Sequence, residues 1–540
     1  MQPARCPVTV PSEIDGSTKD SFPRISRPLA LGDGPETVNR SDDEDPDNER
    51  GQSTSFDVAF CDNPFKCHIG CLTIDGLSDD VLLYVFNLYR QASQHHTDWW
   101  LEDGYVRDNS DRWPWRALAR VCQRWRRIIF SWPSQLGVQV ECKSGTAMAK
   151  VLDVWPDLPI SIRSTLDHKN PDGEDIITEL KHRDRLAEIK LWRLTKSQLE
   201  RCATLMQGSF PILRTLVLSL HSEIPGAPVI TDGFLGGSAP RLRELRLLYV
   251  PFPTLPNLLL SATDLVDLCL DQIPSTGYIS SDMMATCMSM LPRLQSLSII
   301  FQSQESFPDL TNRRPPSPAR AVLPALTTFR FKGVIEYSED LMTRIDAPLL
   351  NYLCLEFFYR PVVDIPQVPQ FINRTKQFDR LDRTEVHFEK DTLQVTIWGG
   401  HVVFILEFSS TGFHNQLSLF KHICTQFLPI FSHVDELLLL CYPIDSATSE
   451  EEPALFLEVL DIFNAVETLW IEASVMMLEM VVADAFGSMT WERAEEVLPV
   501  VHTIQVREKR PRPHIIDAIG SFIDARSEMG RPVELEWVNW

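Results

Sequence analysis

Two stretches of the chain, FPILRTLVL at residues 210–218 and APRLRELRL at residues 239–247, decide the fold. Each stretch has Leu at its fourth, seventh and ninth positions and a Pro at its second. An L-x-x-L-x-L spacing that returns every 20–30 residues or so is typical of leucine-rich repeats, in which each unit supplies one strand and a helical segment. A single unit cannot bury the apolar side of its strand, so the units are expected to stack into a solenoid.

The same pattern recurs over most of the chain. Clear copies follow at residues 264–270, 291–299, 323–331 and 350–355, and the first anchors of neighbouring copies are 23 to 32 residues apart. Weaker copies have their anchors at Leu186/Ile189/Leu191, Val434/Leu437/Leu439, Val466/Leu469/Ile471 and Val501/Ile504/Val506. The predicted fold class is therefore α/β: a degenerate leucine-rich solenoid with a curved, mostly parallel sheet over residues 136–540.

The repeat pattern is interrupted twice. Residues 302–320 contain the sequence PPSP at 315–318 and are predicted to form an exposed loop. Residues 385–408 contain two alternating apolar runs around Gly399-Gly400, which predicts a hairpin inserted between repeats. The residues leave open whether this hairpin extends the sheet or projects from it.

The part of the chain before the repeats divides into two segments. Residues 1–70 are rich in Pro, Ser, Asp and Gly, carry an acidic run at 41–47, and are predicted to be a disordered acidic tail. Residues 71–135 are predicted to form a short helical module. Ser78 is a candidate N-cap, and Leu82, Val85, Phe86 and Tyr89 share one helix face. A second helix is predicted from about residue 115 to residue 130.

This module carries a family resemblance. LSDDVLLYVFNL at residues 77–88, followed by LARVCQRW at residues 118–125, resembles the F-box motif, and the layout is similar to F-box proteins with degenerate leucine-rich repeats in mushroom-forming fungi. The resemblance implies docking on the Skp-family adaptor, and through it on a cullin, in an SCF-type ubiquitin ligase. It implies adaptor contacts at Leu77, Leu82, Val85, Phe86, Leu88, Leu118, Val121, Cys122 and Trp125. The sequence departs from the family in having Ser78 where Pro is usual and a longer loop between the helices.

The repeats also predict a recognition surface. In an L-x-L strand both Leu side chains enter the core, so the residue between them faces the concave side. The intervening residues are Lys190, Val217, Arg246, Cys269, Ser298, Arg330, Cys354, Leu438, Trp470 and Gln505. We expect a protein substrate to contact Lys190, Arg246, Ser298, Arg330, Trp470 and Gln505. The cations and the Trp in this set suit an acidic and aromatic segment.

Composition narrows the classes of partner. Lys and Arg number 51 against 74 Asp and Glu, a net charge of −23 that disfavours binding to nucleic acid. No apolar run has the length needed to span a membrane, and the first twenty residues lack a signal-like apolar core. The 12 Cys follow no disulfide framework, which is typical of reduced thiols. A cytoplasmic or nuclear protein is expected.

No motif points to chemistry. The sequence lacks a G-x-S-x-G, an H-E-x-x-H, a P-loop and a dinucleotide-binding turn, so no catalytic residue, cofactor or metal is expected. Cys61, Cys67, His68 and Cys71 do not have the paired spacing of zinc ligands. The basic stripe Arg116, Arg120 and Arg124 is either an exposed helix face or a surface that steers an acidic partner.

Three functional hypotheses remain. The first is a substrate receptor of a ubiquitin ligase, and the second is a leucine-rich scaffold with no ubiquitin role, whose helical module merely caps the solenoid. The third is an enzyme with an unrecognised site. Adaptor binding separates the first two, and a pocket of convergent polar groups would favour the third.

Overall fold

The computed structural model describes residues 74–94, 114–133, 135–136, 138–142, 158–166, 173–221, 226–306, 320–359, 363–442, 450–472, 476–507 and 512–538. The predicted tail at residues 1–70 lies outside these ranges, as do residues 307–319 of the predicted loop. The described residues all belong to one unit, Thr73–Trp540.

Strands recur along the unit at the positions of the repeats. They are β1 (Val140–Cys142), β2 (Ile160–Thr165), β3 (Leu186–Leu194), β4 (Thr215–Leu220), β5 (Glu244–Leu248), β6 (Asp267–Ile273), β7 (Ser296–Phe301), β8 (Ala321–Val322), β9 (Thr328–Gly333), β10 (Ile345–Asp346), β11 (Tyr352–Phe357), β12 (Arg383–Phe388), β13 (Thr392–Gly399), β14 (Val402–Ser409), β15 (Glu436–Cys441), β16 (Thr468–Glu472), β17 (Thr503–Arg507) and β18 (Glu534–Val538). Every copy of the Leu pattern is a strand, so the prediction of strands from that pattern is confirmed.

One long sheet contains most of these strands. Its order is β1-β2-β3-β4-β5-β6-β7-β9-β11-β14-β13-β12-β15-β16-β17-β18, and β8 pairs separately with β10. All neighbours in the long sheet are parallel except the two pairs made by β13. The predicted α/β architecture with a mostly parallel sheet is therefore confirmed.

Helices connect most of the strands. They are α1 (Asp79–Gln94), α2 (Pro114–Ala119), α3 (Gln123–Ser131), α4 (Gly173–Thr178), α5 (Lys196–Leu205), α6 (Leu255–Leu259), α7 (Ser281–Met288), α8 (Ile335–Arg344), α9 (Gln367–Arg374), α10 (Phe413–Gln426), α11 (Leu428–Phe431), α12 (Glu452–Leu460), α13 (Met476–Gly487), α14 (Trp491–Glu496) and α15 (Pro513–Glu528). Short 3-10 turns lie at Ile74–Gly76, Glu179–Lys181, Phe234–Gly237, Ser275–Gly277, Gln304–Ser306 and Lys376–Arg380. None of the helices in the described ranges is long and apolar enough to cross a membrane.

The anchors of the repeats form a continuous core. Leu216 and Leu218 of β4, and Leu245 and Leu247 of β5, are buried, and the same holds for the anchors of the other repeats. Because the chain alternates faces along each strand, the residues between the anchors lie on the opposite side of the sheet. We call that side the open face.

The interruption at residues 385–408 is built into the sheet. β13 and β14 form the expected hairpin, whose turn contains Gly400 at φ +62°. β14 pairs in parallel with β11, and β12 pairs in parallel with β15, so the three strands enter the sheet in reverse chain order. The side-chain amide of buried Gln416 lies within hydrogen-bonding distance of the Glu389, Thr392 and Ser410 carbonyls, which ties α10 to both ends of the hairpin.

The helical module differs from the prediction in one respect. The second predicted helix, from about 115 to 130, is split into α2 and α3 at residues 120–122. Cys122 has extended backbone angles, and its sulfur accepts a hydrogen bond from the Trp125 amide, so it acts as the N-cap of α3. A residue that caps one helix cannot continue another, and this breaks the predicted helix.

Candidate interaction surfaces

Inside the helical module, the residues of the two F-box-like stretches pack against each other. Leu82 and Phe86 of α1 are buried, and the Phe86 ring packs on the Trp125 ring of α3 with centroids 4.7 Å apart. Arg124 donates to both the Asp79 carboxylate and the Leu77 carbonyl, which joins the start of α1 to α3. These contacts join the two stretches in the folded module.

A second apolar face of α1 is exposed. Val81, Tyr84, Val85 and Leu88 have the spacing i, i+3, i+4 and i+7, and each exposes between 44% and 65% of its surface. We call these four residues the helix stripe. An exposed apolar stripe on a helix is typical of a surface that is covered by a partner.

The predicted adaptor contacts therefore divide into three groups. Leu82 and Phe86 are buried within the module and are not available for docking. Leu77, Leu118, Cys122 and Trp125 are partly buried, and Val85, Leu88 and Val121 are exposed. The predicted face of Leu82, Val85, Phe86 and Tyr89 is only half buried, since Val85 and Tyr89 are exposed. Sequence reasoning also missed Val81 and Tyr84, although the spacing 81, 84, 85 and 88 satisfies the same helical rule.

The predicted recognition residues line up across the sheet. The strand register joins them in one row on the open face, which runs Arg163, Lys190, Val217, Arg246, Cys269, Ser298, Arg330, Cys354, Ile405, Thr396, Glu385, Leu438, Trp470, Gln505 and Glu536. We call this the open-face row. Sequence spacing gave ten of its fifteen members. It missed Ile405, Thr396 and Glu385, because the order of the inserted strands in the sheet is reversed, and it missed Arg163 and Glu536 at the two ends, where the strands carry no Leu triplet.

Lys190, Arg246 and Arg330, three cations of the row, form ion pairs with neighbouring carboxylates. The Lys190 ammonium lies 3.1 Å from a Glu188 carboxylate oxygen, and Arg246 lies 2.8 Å from Glu244 and 2.7 Å from Asp267. Arg330 lies 3.6 Å from Glu356. Acidic residues border the row and neutralise its cations. The cations that were expected to contact an acidic substrate are therefore already paired within the chain.

Glu188 shows how strong this pairing is. Burial acts to raise the pKa of its carboxyl group, but the positive charges of Lys190 and Arg163, both bonded to it, lower the pKa to about 2. The carboxylate is also hydrogen-bonded to the Ser161 hydroxyl.

Ser298, predicted as a contact residue, lies in the row but is only 8% exposed.

The C-terminal end of the row has a different character. The Arg507 guanidinium lies 5.6 Å from the centre of the Trp470 ring. Trp470 pairs in register with Gln505, and the Trp470 Nε1 donor and the Gln505 Oε1 acceptor are buried without a hydrogen-bond partner in the described residues. One donor and one acceptor on neighbouring strands match the hydrogen-bonding groups of a peptide backbone.

The basic stripe and the Cys/His cluster predicted from the sequence are only partly described by the structure. Arg124 of the basic stripe makes the contacts given above, Arg120 is exposed, and the side chain of Arg116 is outside the described part of the chain. The Cys61–Cys71 cluster also lies outside it. Among the residues that the structure describes, no group of His, Cys, Asp or Glu has an arrangement suited to a metal ion.

Comparisons with known proteins identify no family, and they find a structural neighbour of low similarity. No family model and no curated protein matches the chain. Among solved structures, it is similar to the leucine-rich repeat-containing protein LegL7 from Legionella pneumophila, at 12% identity over 71% of this chain and 97% of that chain, with a TM-score of 0.25. A score this low carries no argument about fold or function, and the architecture rests on the strand register described above.

Proposed function

We propose that this chain is the substrate-recognition subunit of an SCF-type ubiquitin ligase. The observation that supports this most is the helix stripe: α1 buries one apolar face against α3 and leaves a second apolar face exposed. The stripe lies within the stretch that resembles an F-box, in which α1 would dock on the Skp-family adaptor.

Burial of the stripe would supply the free energy of docking. Each apolar side chain removed from water contributes on the order of 1 kcal/mol when it is half exposed beforehand. Four such residues on one helix, with Val121 as an added contact, would give a small but specific apolar interface. The docking residues would accordingly be Val81, Tyr84, Val85, Leu88 and Val121, while Leu82, Phe86 and Trp125 would hold the module in shape.

The open face would bind the protein substrate. At its C-terminal end the row presents the Trp470 ring with the Arg507 guanidinium over it, and the buried Trp470 Nε1 and Gln505 Oε1 atoms lack a hydrogen-bond partner in the described residues. This arrangement suits an extended peptide segment whose backbone amide could hydrogen-bond to these two atoms. The paired cations Lys190, Arg246 and Arg330 would contribute less, because a partner must compete with their carboxylates. The chain would supply proximity and no chemistry, with ubiquitin transfer on another subunit.

Co-purification with a Skp-family adaptor tests the proposal. The wild-type chain should retain the adaptor, and Tyr84→Asp/Leu88→Asp should lose it, because each substitution places a charge where an apolar contact is expected. Met283→Asp/Met290→Asp is the matched control, since both Met side chains are about as exposed as Leu88 and lie in the repeats. Retention by the stripe variant, or no retention by well-folded wild type, would end the proposal.

A specific observation favours a second candidate. Leu82 and Phe86 belong to the same hydrophobic core as the repeats, as expected if the module caps the N-terminal end of a leucine-rich scaffold. The module can cap the solenoid and dock an adaptor at the same time, because the two roles use different faces of α1. Absence of adaptor binding would leave the scaffold function alone.

A further inference from the structure

Arginines are concentrated where two neighbouring strands begin. Arg214 directly precedes β4 and Arg243 directly precedes β5, and the two strands are in register at Thr215 and Glu244. The Arg243 amide donates to the Arg214 carbonyl at 2.7 Å. Adjacent strands are about 4.8 Å apart, so the two side chains leave the same edge of the sheet side by side.

Two further arginines complete the group. Arg241 lies in the turn that leads into β5, and Arg90 comes from α1. Partial burial lowers the pKa of Arg214, and the positive charges of Arg243, Arg241 and Arg90 lower it further, which places all four within electrostatic range. We call Arg90, Arg214, Arg241 and Arg243 the arginine cluster.

The cluster has no internal counter-charge in the described part of the chain. Arg90 donates to the neutral amide oxygen of Asn87, and neither Arg214, Arg241 nor Arg243 has a carboxylate within ion-pair distance there. The nearby acids have other partners: Glu244 pairs with Arg246, and Asp264 pairs with Arg293. Other arginines of the sheet, Arg246, Arg293 and Arg330, are paired with carboxylates, whereas the cluster is a local field of one sign.

We propose that the arginine cluster binds an anionic segment of a partner protein, through carboxylate or phosphate groups. Arginine suits this because its planar fork makes two parallel hydrogen bonds to either group. Two such forks on neighbouring strands can hold one phosphate between them or two carboxylates in series. Because this edge is neither the helix stripe nor the open-face row, the inference stands without adaptor binding.

A protein segment is favoured over nucleic acid by the charge of the whole chain. The net charge is −23, and a long polyanion would extend from the four guanidiniums onto acidic surface. A short anionic segment needs only the cluster itself. The four side chains are exposed or half-buried and accessible to such a segment.

Fluorescence anisotropy of the full-length chain tests the proposal. The probes are a labelled short peptide of alternating Glu and Ala, its phosphoserine and Gln counterparts, and a labelled single-stranded oligonucleotide. Wild type should bind the Glu peptide, the phosphoserine peptide or both at least about tenfold more tightly than the Gln peptide, because charge-assisted hydrogen bonds are the stronger ones. Of the Glu peptide and the phosphoserine peptide, the one that binds more tightly identifies carboxylate or phosphate as the preferred group.

Arginine variants assign the binding to the cluster. Arg214→Gln/Arg243→Gln should weaken anionic-peptide binding about tenfold or more without unfolding, since both side chains are exposed. Arg293→Gln/Arg531→Gln removes two exposed guanidiniums that have carboxylate partners and should leave binding within about twofold. An equal loss in both variants, no preference for anionic peptides, or tighter cluster-dependent binding of the oligonucleotide would overturn the proposal.

Discussion

Phe86 and Trp125 pack ring against ring with centroids 4.7 Å apart, and this contact fixes which face of α1 is buried. Phe86 is turned toward α3 and Leu82 is buried one turn earlier on the same face, so the helical repeat turns Tyr84 and Leu88 outward. The module therefore has an inner apolar face that maintains its structure and an outer one that is free to bind.

Truncation of the inner face should unfold the module. We expect Phe86→Ala to destabilise α1 by about 3–5 kcal/mol, because it removes a fully buried ring and leaves a cavity. Tyr84→Ala, on the outer face of the same helix, should change the stability by no more than about 0.5 kcal/mol. Hydrogen exchange of α1 peptides measures both, and similar protection of α1 in the two variants would contradict the assignment of faces.

The ion pairs around Glu188 predict a pH dependence. The pKa of this carboxyl group is lowered from 4.5 to about 2, so its pairing stabilises the folded state above pH 4.5 and the benefit is lost as the pH falls from 4.5 toward 2. Glu188→Gln should cost up to about 3 kcal/mol at pH 7 and progressively less below pH 4.5. Urea unfolding across this range checks it, with exposed Glu200→Gln as the control. A cost that did not change with pH would contradict the pairing.

Buried thiols should be inert in the folded chain. Burial raises the pKa of Cys202, Cys269 and Cys441 to about 12, so about one thiol in 10⁴ is ionised at pH 8. Iodoacetamide labelling mapped by mass spectrometry should modify these three only after unfolding, whereas half-exposed Cys122 should react in the native state. Native labelling of Cys202 as fast as that of Cys122 would show that the repeat core is open.

Two glycines should respond oppositely to substitution by alanine. Gly400 has φ +62° in the β13–β14 turn, so Gly400→Ala should destabilise the chain by about 1 kcal/mol although the space around it is empty. Gly520 lies within α15 with no heavy atom near its missing Cβ, and Gly520→Ala should stabilise by about 0.5–1 kcal/mol. Thermal unfolding measures both, and a stabilising Gly400→Ala would contradict the turn geometry.

The sequence predicts the repeating part of the fold well because the physical signal is strong. Anchors such as Leu245 and Leu247 have both the right spacing and near-complete burial. Strands β1, β2, β8, β10 and β18 carry no such triplet and are not predicted by the pattern. The alternation of apolar residues predicts the hairpin at Gly399-Gly400. Alternation contains no information about which strands are neighbours in the sheet, so it could not predict the reversed order of β12, β13 and β14.

The candidate surfaces were harder to predict than the fold. In α1 two sets of apolar residues satisfy helical spacing, and only the contact between Phe86 and Trp125 decides between them. On the open face, the L-x-L rule placed Arg246 correctly, but its pairing with Asp267 depends on the neighbouring strand. Arg214 and Arg243 stand 29 positions apart in the sequence, and only the strand register brings them together.

We propose that the outer face of α1 docks on a Skp-family adaptor, and calorimetric titration of purified adaptor into the purified chain tests this most directly. We predict one saturable site in the wild type and in Met283→Asp/Met290→Asp, and no detectable binding by Tyr84→Asp/Leu88→Asp with an unchanged circular dichroism spectrum. Unaltered affinity in the stripe variant, or no heat of binding with folded wild type, would contradict the claim.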